Sequence, residues 1–135
     1  MPVHDRFIMT CGRVLLSLIF LLSGLNHLVH FSAGVSALAS KGFPLPTIAM
    51  AVAVVMLLVG GLCLIAGYQV RLGAALLAVF LVVVTPVFHD FWAYQGGEAE
   101  QQQIHFMKNV AMLGGVLIAY ATARRHLDAG RGPGI

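Results

Sequence analysis

Phe88-His89-Asp90-Phe91-Trp92 and His105-Phe106-Met107-Lys108-Asn109 carry the side chains best suited to chemistry, and about a dozen residues separate them. Imidazoles can donate or accept a proton near neutral pH. A carboxylate, an ammonium and an amide stand within a few residues of them. Both flanks of this stretch are almost wholly apolar for the length that a membrane crossing needs. Ionisable groups are costly at such depths and persist where they face a bundle interior or a wet cavity. At the end of the first apolar run, Asn26, His27 and His30 add a further polar group, with the two histidines three residues apart on one helical face.

The elements that must position these residues follow from hydropathy. Of 135 residues, 59% are hydrophobic and only 10% charged, with a mean hydropathy of +0.91. A soluble domain is typically about a quarter charged, so the composition is that of a membrane protein. Four apolar segments, roughly 7–31, 47–68, 72–92 and 104–123, predict an all-α integral membrane domain spanning residues 1–135, folded as an antiparallel bundle of four transmembrane helices. A short interfacial helix is expected within Phe31–Phe43, before Gly42 and Pro44 break the chain. Pro86 is expected to kink the third segment locally. Tyr94–Gln103 reads as a polar loop, and the Gly-rich tail from about residue 127 as disordered. Ala37-Leu38-Ala39 resembles a signal-peptidase site but lies well past the apolar run, so the first segment is expected to be a retained helix.

Charge orients the bundle. Arg6, Arg13, Arg71, Arg124, Arg125 and Arg131 fall at one end, and Lys41 and Lys108 at the other with Glu98 and Glu100. The positive-inside rule then places both termini in the cytoplasm. Four of the six histidines, His27, His30, His89 and His105, gather at the opposite, outer end. Small residues at four-residue spacing, Ala111, Gly115 and Ala119 in the last segment and Ala74 and Ala78 in the third, would let helices approach closely. Cys11 and Cys63 sit in unrelated apolar settings and predict no disulfide framework. No basic stripe with interleaved aromatics points to nucleic acid.

The chain resembles the DoxX family of small four-helix bacterial membrane proteins. The likeness covers about Gly12 to Tyr120. It is carried by Phe20-x-x-x-Gly24-x-x-His27, Lys41-Gly42-Phe43-Pro44, Phe88-His89-Asp90-Phe91-Trp92 and Phe106-Met107-Lys108-Asn109-Val110-Ala111-Met112-Leu113-Gly114-Gly115. That resemblance implies an inner-membrane location and an association with membrane oxidoreductases, the family name coming from subunits of a thiosulfate:quinone oxidoreductase. It carries over no catalytic residues.

These observations predict an outer-leaflet pocket formed by His27, His30, His89, Asp90, His105, Lys108 and Asn109, suited to the carbonyl oxygens of a quinone. On this reading the chain is a small subunit of an oxidoreductase or electron-transfer complex, in contact with lipid and with other subunits or further copies of itself. The competing reading is structural: Asp90 and Lys108 form an ion pair, the histidines and Trp92 belong to the interfacial belt, and the chain is a non-catalytic accessory or assembly subunit. Metal or haem is not expected, since an i,i+3 histidine pair defines neither. A small transporter would require an oligomer.

Overall fold

The computed structural model describes the backbone of residues 2–129 and the side chains of residues 2–123. Five helices follow one another: α1 (Val3–Val29), α2 (Phe31–Ser40), α3 (Pro46–Ala66), α4 (Val70–Phe88) and α5 (Gly96–Ala129), with a 3₁₀ turn at Phe91–Ala93 between the last two. Four are long and apolar enough to cross a membrane: Val3–Val29, Pro46–Ala66, the stretch Val70–Ala93, and Gly96–Ala123. The chain is a multi-pass, all-helical membrane protein, as composition predicted, and its apolar surface is in contact with lipid. The expected short interfacial helix is α2.

Two features differ from the sequence expectation. The stretch expected as a polar loop forms the first two turns of α5, which begins at Gly96 rather than near residue 104. Hydropathy marks where a helix enters lipid, whereas Glu98, Glu100 and the three following glutamines are competent helix formers that carry α5 on beyond it. At its other end α5 runs to Ala129, and the rest of the expected disordered tail lies outside the described residues, as do the side chains of Arg124, Arg125 and Arg131. Pro86 sits in the last turn of α4, which ends two residues later at Phe88.

The bundle is held by a core of Phe20, Leu57, Leu64, Ala74, Leu77, Leu81 and Val116, contributed by α1, α3, α4 and α5. Glycines set the closest approaches. A Cβ at Gly73 would lie 2.5 Å from Cys63 Cβ and 2.9 Å from the Gly60 carbonyl, so α3 and α4 cross nearly backbone to backbone. Gly24 and Gly61 similarly admit Leu58 and Leu21 at the contact between α1 and α3. In lipid, where there is little hydrophobic drive between helices, such small-residue crossings supply dispersion contact. Of the small residues expected to pack, Ala74 and Ala119 are buried, Ala78 and Gly115 are half-buried, and Ala111 is exposed. A second cluster, Leu38, Met50 and Val54 with Phe31, Val35, Phe43 and Phe88 packed against it, lays α2 across the start of α3.

Candidate functional site at the histidine end

Farther along α3 and α4 from the glycine crossing, Ala49, Ala53 and Met56 on one helix and Val84 and Val87 on the other border a cavity of about 530 Å³. α2 contributes Ala37 and Leu38, and the link after it Phe43. The cavity is apolar except at a few points: Ser23 and His27 from α1, His89 after α4, and Asn109 from α5. Its lining includes exposed Ile19 (47%), Val52 (50%), Val79 (57%) and Val83 (45%), all within membrane-spanning segments. The cavity therefore reaches the lipid-facing surface of the bundle.

The polar groups are built in different ways. His27 lies on the cavity side of α1, half-buried, and its ring makes no hydrogen bond to any described residue. Ser23 lies one turn before it on the same face. His89 ends α4, where its backbone N–H donates to the Thr85 carbonyl at 3.0 Å. Its Nδ1 pairs with Gln102 Oε1 at 2.9 Å. An amide oxygen can only accept, so Nδ1 carries the hydrogen and the neutral ring keeps Nε2 as an acceptor. The His105 ring stacks on His89, with centroids 5.2 Å apart and planes 21° from parallel. Asn109 donates from Nδ2 to the buried Thr85 hydroxyl at 3.1 Å, which fixes the amide where α4 and α5 meet.

Of the seven residues expected to form one pocket, the structure brings His27, His89 and Asn109 to the cavity wall, with His105 stacked behind His89. The other three go elsewhere. His30 falls where α1 ends (φ −105°, ψ 39°), is exposed, and turns its Nδ1 back to the Asn26 carbonyl at 3.1 Å. Lys108 is exposed. Asp90 pairs with Lys41 Nζ at 2.8 Å, not with Lys108 as the structural reading supposed. Lys108 belongs to a helix that carries it away, whereas Lys41 comes off the end of α2 directly onto the stretch after α4. This bond clips α2 over the end of the bundle. The carboxylate hydrogen bond raises the Lys41 pKa above its ordinary value. The Tyr94 ring lies 5.8 Å from the same ammonium.

Sequence reasoning left out Ser23 and Gln102 from this site. Both carry a helical-spacing signal, Ser23 four residues before His27 and Gln102 three before His105. Among the described residues no three His, Cys, Asp or Glu side chains converge as metal ligands would.

A bundle of four membrane-spanning helices capped by a short fifth, with a lipid-facing cavity, places the chain in the class of small multi-pass membrane proteins. The DoxX family model matches residues 8–90, more than half of the chain, and the protein belongs to the DoxX family. It is also 29% identical over 111 residues to inner membrane protein YphA of Escherichia coli (strain K12), covering 82% of this chain and 79% of that one. No solved structure matches the chain.

Proposed function

We propose that this protein is an inner-membrane subunit associated with an oxidoreductase or electron-transfer complex, and that its cavity takes the head of a quinone. The cavity carries the reading: about 530 Å³ of nearly unbroken apolar wall, with an unpartnered imidazole, a second imidazole with a free acceptor and a fixed amide among its few polar groups. Binding sites for small molecules combine these features, an apolar body and a few placed polar groups that set orientation. His27 can donate to one carbonyl oxygen of a quinone, and the His89–Asn109 wall supplies the partners for the rest of the ring. His105 stacks on His89 and positions it. Asp90, paired with Lys41, and Lys108, exposed on α5, have no part in this site.

The location follows YphA, which is named as an inner membrane protein. The gathering of Arg6, Arg13 and Arg71 at one end supports cytoplasmic termini. Fluorescence quenching on titrating ubiquinone into purified protein in detergent tests the site. His27→Leu and His89→Ala are expected to weaken binding roughly tenfold each, about the worth of one hydrogen bond in a dry site. Unchanged affinity in both removes the quinone site.

One observation favours a second reading, an accessory or assembly subunit with no ligand. α5 is the least buried of the four spans, and its Ala111 and Gly114 present a smooth exposed face. Under that reading Ala111→Leu disrupts co-purification of partner subunits while His27→Leu does not.

A further inference from the structure

The opposite end of the bundle has a cationic site that the cavity does not use. Arg13 stands nearly three turns into α1, level with the turn between α3 and α4: a Cβ at Gly67 would lie 2.9 Å from Arg13 Nη2. Arg71 opens α4 just beyond that turn, and its Nη2 donates to the Tyr120 hydroxyl at 2.9 Å. The Nε of each arginine is buried without a hydrogen-bond partner among the described residues. Among the described residues, Arg13 has only a long 3.5 Å approach to the Thr10 hydroxyl. No described carboxylate serves either one. Asp5 has its closest partner in the His4 ring at 3.6 Å, Asp90 pairs with Lys41, and Glu98 and Glu100 lie at the far end of the bundle.

A guanidinium shielded on its Nε side has lost part of its hydration and gains most from an anion on its terminal nitrogens. Arg13 also borders a groove of about 270 Å³ between α1 and α5, whose other walls are Met9, Gly12, Leu16, Gly115, Ile118 and Ala119, with Thr122. The Thr122 hydroxyl is committed to the Ile118 and Ala119 carbonyls. The groove is thus apolar but for the Arg13 guanidinium and the committed Thr122 hydroxyl, a lining that suits an acyl chain ending in a phosphate.

We propose that the α1–α5 groove holds one anionic phospholipid, its phosphate on the terminal nitrogens of Arg13 and an acyl chain along Gly12, Leu16 and Gly115. An anionic headgroup suits the site better than a zwitterionic one, because no described carboxylate stands within ion-pair distance of Arg13 or Arg71 to receive an amine.

Native mass spectrometry of the full chain, released from nanodiscs containing phosphatidylglycerol and phosphatidylcholine in equal amounts, tests this. Wild type is expected to retain one phosphatidylglycerol in preference to phosphatidylcholine. Arg13→Gln should reduce that retention roughly fivefold, the worth of one cation at an anionic surface. Gly12→Leu should reduce it as well, by filling the groove while keeping the charge; a Cβ at Gly12 meets nothing within 4 Å, so the substitution brings no clash at the backbone. Lys108→Gln, at the other end, should retain lipid as wild type does. Equal retention of the two lipids, or retention unchanged in both Arg13→Gln and Gly12→Leu, overturns the site. Displacement of the lipid by millimolar inorganic phosphate also overturns it, assigning Arg13 to a free phosphate ion.

Discussion

The two ends of this bundle hold similar numbers of ionisable groups and use them in opposite ways. At the histidine end the two full charges nearest the cavity pair with each other: Lys41 and Asp90 meet at 2.8 Å and clip α2 across the helices. What remains toward the cavity is one imidazole without a described partner, another hydrogen-bonded on one side, and an amide. At the arginine end the helices close on glycine, and the cations have no described carboxylate to cancel them. A neutral polar group in an apolar cavity selects a neutral, hydrogen-bonding guest. An uncancelled cation selects an anion. Which ligand class each end suits is decided by what has been paired, more than by which residue types are present.

Breaking the closed part of the bundle should have the largest effect. Gly73→Val would drive a branched side chain into Cys63 and the Gly60 carbonyl, and overpacking of this kind costs about 3 kcal/mol or more. The expected result is little folded protein on size exclusion in mild detergent. Gly114→Ala, where a Cβ meets nothing within 4 Å, should elute as wild type. If both variants behave alike, the crossing is not what holds α3 and α4.

Thr85→Val sharpens the same contrast at the cavity. It keeps the shape of the buried side chain but removes the acceptor for Asn109 Nδ2, a loss of about 1–2 kcal/mol measured by unfolding in mixed micelles. A change within error would mean that Asn109 finds another acceptor on the cavity wall.

His27→Leu should move in the other direction. Removing an unpartnered polar ring from an apolar wall is expected to raise stability by up to about 1 kcal/mol, while the same variant loses quinone affinity. A destabilised His27→Leu would show that the ring is already satisfied in the free protein, and the cavity would then lose its most distinctive group.

The smallest effect belongs to the surface clip. The Lys41 pKa is raised in the folded state by the Asp90 carboxylate, so the pair contributes fully below the ordinary lysine value of 10.5. That contribution is lost as pH climbs through the folded-state value. Lys41→Met should therefore lower the melting temperature slightly near neutral pH, with the gap to wild type closing in strongly alkaline buffer. A gap that persists there would assign the effect to packing of the lysine stem.

The sequence carried the four crossings, the middle two to within two residues at either end, because a hydrocarbon layer demands apolar length and little else supplies it. It carried the polar end as well, but not the division of labour within it. His27 and His30 are three residues apart and share a face on any continuous helix. α1 stops at Val29, however, which turns His30 away and leaves His27 alone on the cavity. Asp90 had two lysines within plausible reach, and the one it meets lies 49 residues away in sequence, a choice that no local pattern encodes. The cavity itself was invisible for a simpler reason. A void is made by where helices separate, and separation leaves no mark on hydropathy.

The exposure of Ile19, Val52, Val79 and Val83 along the cavity wall has a consequence for supply. A chamber open to hydrocarbon draws on whatever the bilayer dissolves, so a guest's partition coefficient multiplies its apparent affinity before any contact is made. Search becomes lateral diffusion in a thin sheet, and water-soluble analogues with identical heads arrive at a disadvantage that no side chain imposes. Chain length on the guest, far from the polar groups that orient its head, then becomes the first determinant of occupancy.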